Sequence, residues 1–120
     1  MNKSDYKQLT VWQKSMDFAV DIHNFIKTLP NEERFALIDQ MRRCSISIPS
    51  NIAEGHRRHS NKEFIHFLSI SKGSVAELDT QLLLCQRFGY SDEESISLLC
   101  GKLIEIDKML SGLIARLSEM

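Results

Sequence analysis

Small or apolar side chains return every three or four residues along most of this chain. The longest run, Phe64, Leu68, Ser71, Val75, Leu78, Leu82 and Cys85, sets one per turn on a single stripe. The spacing predicts a helix over Asn61 to Phe88, a rod of about 42 Å at about 1.5 Å per residue. A rod of that length needs a partner, and Ile96, Leu99, Leu103, Ile106, Leu110, Leu113 and Leu117 supply one. Phe88-Gly89-Tyr90-Ser91 reads as the hairpin link between them. Ser91 or Asp92 is the expected N-cap, with Asp92, Glu93 and Glu94 complementing the helix dipole.

In the first half, Trp12, Ala19 and Ile26 form one heptad column, Ser15, Ile22 and Leu29 a second, and Val11, Phe18 and Phe25 a third. That helix ends at Leu29-Pro30. Asn31 is expected to cap a second helix, opened by Glu32 and Glu33 and carried by Ile38, Met41, Ser45, Ile48 and Ile52 through Pro49. Four amphipathic helices with short links predict an all-α fold: an antiparallel up-down-up-down four-helix bundle with a proline-kinked second helix, residues 1–120 forming one domain.

The stretch IPSNIAEGHRRHSNKEF, residues 48–64, is the punctuation of this pattern. Pro49 removes a backbone donor and crowds the carbonyl of Ser45, so the helix is expected to bend or tighten there, with Ser45, Ser47 and Ser50 offering hydroxyls to freed backbone groups. Gly55 is placed as the left-handed residue that stops the helix. Ser60-Asn61-Lys62-Glu63 then fits the S-x-x-E capping box. Farther on, Gly73 lies amid strong helix formers, where glycine costs about 1 kcal/mol relative to alanine. With Ser74, Glu77 and Gln81 it could form a small-residue notch against another helix, or simply relieve crowding in the protomer core.

Composition adds limits. The 120 residues are 42% hydrophobic and 26% charged, the balance of an ordinary globular protein with one core. Met1 to Leu9 carries Lys3, Asp5 and Lys7 and lacks the apolar core of a signal peptide, and no stretch is long and apolar enough to span a membrane. A cytoplasmic location with no membrane partner is expected. Cys44, Cys85 and Cys100 are far apart and show no C-x-x-C pair, so buried thiols are expected rather than disulfides or zinc. Cys44 follows Arg42 and Arg43, which would lower its pKa only if it faced solvent. Glu63 and His66 form the one Glu-x-x-His pair, with His59 a turn earlier, whereas di-iron bundles use two. No nucleophile elbow or phosphate loop occurs, and His23 reads as a polar-edge residue. No catalytic residue, metal or cofactor is expected, and the chain reads as non-enzymatic.

Charge is unevenly placed. Residues 39–72 carry six basic and three acidic side chains, residues 73–120 four basic and eight acidic, within a net charge of −1. Arg57, Arg58 and Lys62, with His56 and His59 and with Arg42 and Arg43 from the preceding helix, are the candidate phosphate-binding set. The alternative is that these arginines pair with neighbouring acids or with an adjacent subunit. Apolar residues beyond one seam per helix suggest a homo-oligomer: Val11, Phe18 and Phe25, then Ile65, Ile70 and Leu84, and Ile104 and Ile114.

Several of these residues also carry a resemblance. Leu9-Thr10-Val11-Trp12-Gln13-Lys14, then Ser47-Ile48-Pro49-Ser50-Asn51-Ile52-Ala53-Glu54-Gly55, then Ser60, Glu63-Phe64 with Phe67-Leu68, and Gly73-Ser74 with Glu77-Leu78 resemble a bacterial family. It is named after proteins encoded in intervening sequences of large-subunit ribosomal RNA genes, and the match covers nearly the whole chain. The resemblance implies four-helix protomers assembled as homopentameric barrels. It also extends to accessory proteins of diversity-generating retroelements, which bind nucleic acid and a reverse transcriptase through a basic surface. One departure stands out: those relatives look strongly basic, while this chain has a pI near 6.4. RNA or DNA binding at the basic corner is therefore one expectation, and a protein-interaction scaffold docking a partner protein is the other.

Overall fold

A computed structural model describes residues 5–120. Residues 1–4, part of the stretch read as lacking a signal-peptide core, lie outside the described residues. Four helices follow in order: α1 (Thr10–Phe25), α2 (Asp39–His56), α3 (Asn61–Arg87) and α4 (Glu93–Ser118). Each packs on its neighbour in sequence, and α4 closes against α1, giving a rod of 49 × 23 × 20 Å. Cross-helix pairs show the antiparallel sense. Residue numbers rise on one helix as they fall on the next, in Met41 with Cys85 and Ser47 with Ser74, and in Lys14 with Glu105 and Asp21 with Lys102.

The core is the sum of the predicted stripes. Val11, Phe18, Ile22, Met41, Ile48, Ile52, Leu68, Leu78, Leu82, Ile96, Leu103, Ile106 and Leu110 are all buried in one cluster. This corrects the oligomer assignment for helix one, since Phe18 is only 2% exposed and Val11 and Phe25 are also buried. The reason is geometric. At 16 residues α1 is the shortest helix. It packs against both α2 and α4, so two flanks and the inner stripe must all be apolar. Ile65, Leu84 and Ile114 are half-buried, and of the expected interface set Ile70 is exposed, as is Ile104.

The links differ from expectation at one end. Asn31 makes no side-chain cap. Extended Pro30 leads into a 3-10 turn, Asn31–Glu33, then a single wide π turn, Arg34–Ile38, before α2 becomes regular at Asp39. The α3–α4 link is a Schellman ending: Gly89, at φ 82°, donates to the Gln86 carbonyl and Tyr90 to that of Cys85. Asp92 caps α4, accepting from the Ser95 amide at 2.7 Å.

α2 runs without interruption through Pro49. The hydroxyls around it serve a different purpose from the one expected. Ser45 donates to the Arg42 carbonyl of its own helix, while Ser71 of α3 donates to the Ile48 carbonyl at 2.9 Å. Ser47 Oγ accepts from Ser74 of α3 at 2.8 Å and from Asn51 at 2.9 Å. The S-I-P-S-N-I-A-E-G segment is thus largely the α2 side of a polar and small-residue seam with α3.

Candidate nucleic-acid interface

The α2–α3 corner is held by contact. A Cβ added to Gly55 would lie 2.7 Å from Phe67 Cβ and 2.9 Å from Phe64 Cδ1, so only glycine lets the first turns of α3 cross α2 this closely. Gly55 is not the left-handed terminator expected of it, because among the described residues Gly89 alone has positive φ. α2 ends one residue later at His56, with Arg57 donating to the Ala53 carbonyl and Arg58 to that of Gly55. α3 starts on the expected cap, the Glu63 amide donating to Ser60 Oγ at 3.2 Å.

This geometry sorts the seven candidate residues. Arg57, His59 and Lys62 are exposed at the corner and form no ion pair among the described residues. Arg58 is held back, bridging Glu54 at 2.7 Å with its guanidinium 4.7 Å from the centre of the Phe67 ring. His56 is half-buried between Tyr6 and Phe64, ring centroids 6.5 and 5.6 Å away, and serves packing. Arg42 and Arg43 do not join the corner: Arg42 lies 15 residues before Arg57, about 22 Å along the helix axis. Arg43 there bridges Asp39 at 3.1 Å.

Two further basic side chains reach the same end. His66 is exposed one turn beyond Lys62, edge-on to Phe67. Lys7 is carried there by the N-terminal 3-10 turn, whose Tyr6 packs on His56 and Trp12. The hydrophobic Tyr6 and Trp12, set before and after the Leu9 cap, were the sequence signal for that turn folding back.

The remaining chemistry is quiet. Burial pushes the Cys44 thiol up, partly opposed by a hydrogen bond from Gln81 and reinforced by Glu77. Burial likewise raises Cys85 to about 11, with Glu33 adding to it, and Cys100 to about 11, with Asp79 adding to it. None of the three is an activated thiolate at neutral pH. Among the described residues no three His, Cys, Asp or Glu side chains gather in a metal-binding group, His59, Glu63 and His66 included. No described helix is long and apolar enough to cross a membrane.

Comparison with known proteins agrees with this fold. A solved structure from Bacteroides thetaiotaomicron, described as a protein of unknown function from the S23 ribosomal protein family, superposes with a TM-score of 0.81 at 34% identity. The alignment covers 88% of this chain and 95% of that one. None of the curated proteins matches. The family model described as 23S rRNA-intervening sequence protein matches residues 7–112. The chain belongs to the 23S rRNA-intervening sequence protein family.

Proposed function

We propose that the protein is a non-enzymatic, homo-oligomeric nucleic-acid-binding protein that holds the phosphate backbone of RNA or DNA at the α2–α3 corner. The observation that carries the reading is the group of exposed cations there, Arg57 and Lys62 with His59 beside them, lacking ion-pair partners among the described residues. They surround the N-terminus of a 27-residue helix, whose dipole adds to the attraction for phosphate. The aromatic rings at this end are occupied: Phe67 lies under Arg58 and Phe64 is buried. Recognition would therefore rest on phosphate rather than on stacking of bases.

Arg57, Lys62 and Lys7 give about three phosphate contacts per protomer, so affinity should fall with salt at a log–log slope of about −3. That is weak binding for one protomer, and repetition of the corner in an oligomer strengthens it. Support for self-association comes from exposed Val20, Ile46, Ile70, Leu98 and Ile104. Gly101 and Gly112 add to it: they lie inside helices with open space where a Cβ would stand. The test is fluorescence anisotropy with structured RNA and duplex DNA over a salt series. Arg57→Glu with Lys62→Glu should abolish binding while helical circular dichroism is kept. Binding that is unchanged in this variant, or insensitive to salt, would overturn the reading.

A further inference from the structure

The end of the bundle opposite the basic corner carries aromatic side chains that the core does not use. Phe35, in the π turn, is 85% exposed, and Phe88, which closes α3, is 54% exposed. A lone exposed phenylalanine needs no explanation. These two are linked: the Phe88 ring meets Tyr90 edge-on at 5.7 Å, the Tyr90 hydroxyl donates to Glu33 at 2.6 Å, and Glu33 stands two residues before Phe35. The guanidinium of Arg34 lies 4.8 Å from the Phe35 ring centre. The Schellman ending and the Tyr90–Glu33 bond join the two links to each other, so both rings stand on a fixed base. The π turn between Glu33 and Asp39 is itself of a kind that recurs at functional sites.

The charge around these rings is acidic. Residues 27–39 and 87–94 hold six acidic and three basic side chains. Three of the acids are engaged, Glu33 by Tyr90, Asp39 by Arg43 and Asp92 by the Ser95 amide. Glu32, Glu93 and Glu94 are exposed and make no ion pair among the described residues, and neither do the exposed Lys27, Arg34 and Arg87, so the acidity of this end is its net charge of −3 from six acids and three bases. Two exposed phenylalanines on linked turns, in a surround of net negative charge, fit a chain segment with aliphatic anchors flanked by lysine or arginine. We propose that this end docks a basic amphipathic segment of a partner protein, with Phe35 and Phe88 as the anchors. Nucleic acid is repelled by the same carboxylates. The basic corner of a second copy offers no comparable apolar anchor, since Phe64 there is buried and His56 is packed against it.

The probe is a fluorescein-labelled synthetic helix of leucine and lysine in amphipathic register, with a leucine–glutamate helix as its counterpart. The leucine–lysine helix should bind the full chain, and Phe35→Ala with Phe88→Ala should weaken it by about tenfold or more. Glu32→Gln, Glu93→Gln and Glu94→Gln together should remove most of the salt dependence, and the leucine–glutamate helix should not bind. Arg57→Glu with Lys62→Glu should leave this binding unchanged, which separates it from the nucleic-acid reading. Circular dichroism of each variant checks the fold, and Phe35→Ala alone, at so exposed a position, carries the test if the double variant unfolds. Absence of binding by the leucine–lysine helix, equal binding to the alanine variants, or equal binding of the acidic helix would each overturn the proposal.

Discussion

A methyl group added at two glycines of this chain should act with opposite sign. At Gly55 the new Cβ would lie inside contact distance of Phe67 Cβ, and a Cβ is fixed to its backbone, so α2 and α3 must part. Gly55→Ala should cost about 1–3 kcal/mol, the range for overpacking a filled core. At Gly73 nothing lies within 4 Å of the added Cβ, and the helix gains the propensity that glycine lacks, so Gly73→Ala should stabilise by about 1 kcal/mol. Urea unfolding of the two variants checks both signs. The pair also marks a boundary of what the sequence discloses. It suggested Gly55 as a left-handed stop and Gly73 as a possible close approach, and the structure assigns close approach to Gly55 instead. A glycine letter is the same for positive φ, for contact and for neither, and only the partner across the gap distinguishes them. The left-handed residue is Gly89, which the sequence placed only in the link between α3 and α4.

At the scale of elements, two groups at the α3–α4 link tie stability to pH. The Asp92 carboxylate caps α4, and the Ser95 backbone amide, then the Ser95 side chain, hold its pKa below the ordinary 3.8. Its contribution is therefore present above the unfolded value and is lost as pH falls through the lower folded one. Tyr90 is the mirror case. Its hydroxyl donates to Glu33, which with burial raises its pKa from 10.0 to about 12, so that contribution is full below about pH 10 and fades as pH rises through the folded value. Asp92→Asn keeps a capping oxygen without its charge and should flatten the acid limb of a thermal-stability profile, whereas Tyr90→Phe should flatten the alkaline limb. A limb that persists unchanged in its variant would count against that assignment. Helix existence, helix order and the Ser60 and Asp92 caps were legible, because each rests on spacing or on a hydrogen bond within four residues. The π turn at Arg34–Ile38 was not, since its apolar spacing reads as ordinary helix, and the Tyr90–Glu33 bond that ties this link to the next spans 57 residues. Nor was the burial of Val11, Phe18 and Phe25: apolar excess on α1 looks the same whether it faces a second subunit or the flanks of α2 and α4.

For the molecule as a whole, net charge is a poor guide, because a sum of −1 averages a basic corner with an acidic, aromatic end. About three phosphate contacts give one protomer little affinity at moderate salt, so useful binding through the corner depends on how many corners a nucleic acid meets at once. Assembly and binding should then separate by mutation. Ile46→Glu, Ile70→Glu and Ile104→Glu, all at exposed positions, should leave helical content intact while reducing the light-scattering mass to the 13.8 kDa of one chain. Their effect on nucleic-acid affinity should exceed tenfold, with every corner cation still present. Arg57→Glu with Lys62→Glu should do the reverse, keeping the mass and losing the binding. A wild-type mass of a single chain would remove the oligomer from the mechanism, and a monomeric variant that binds as tightly as wild type would show that one corner suffices.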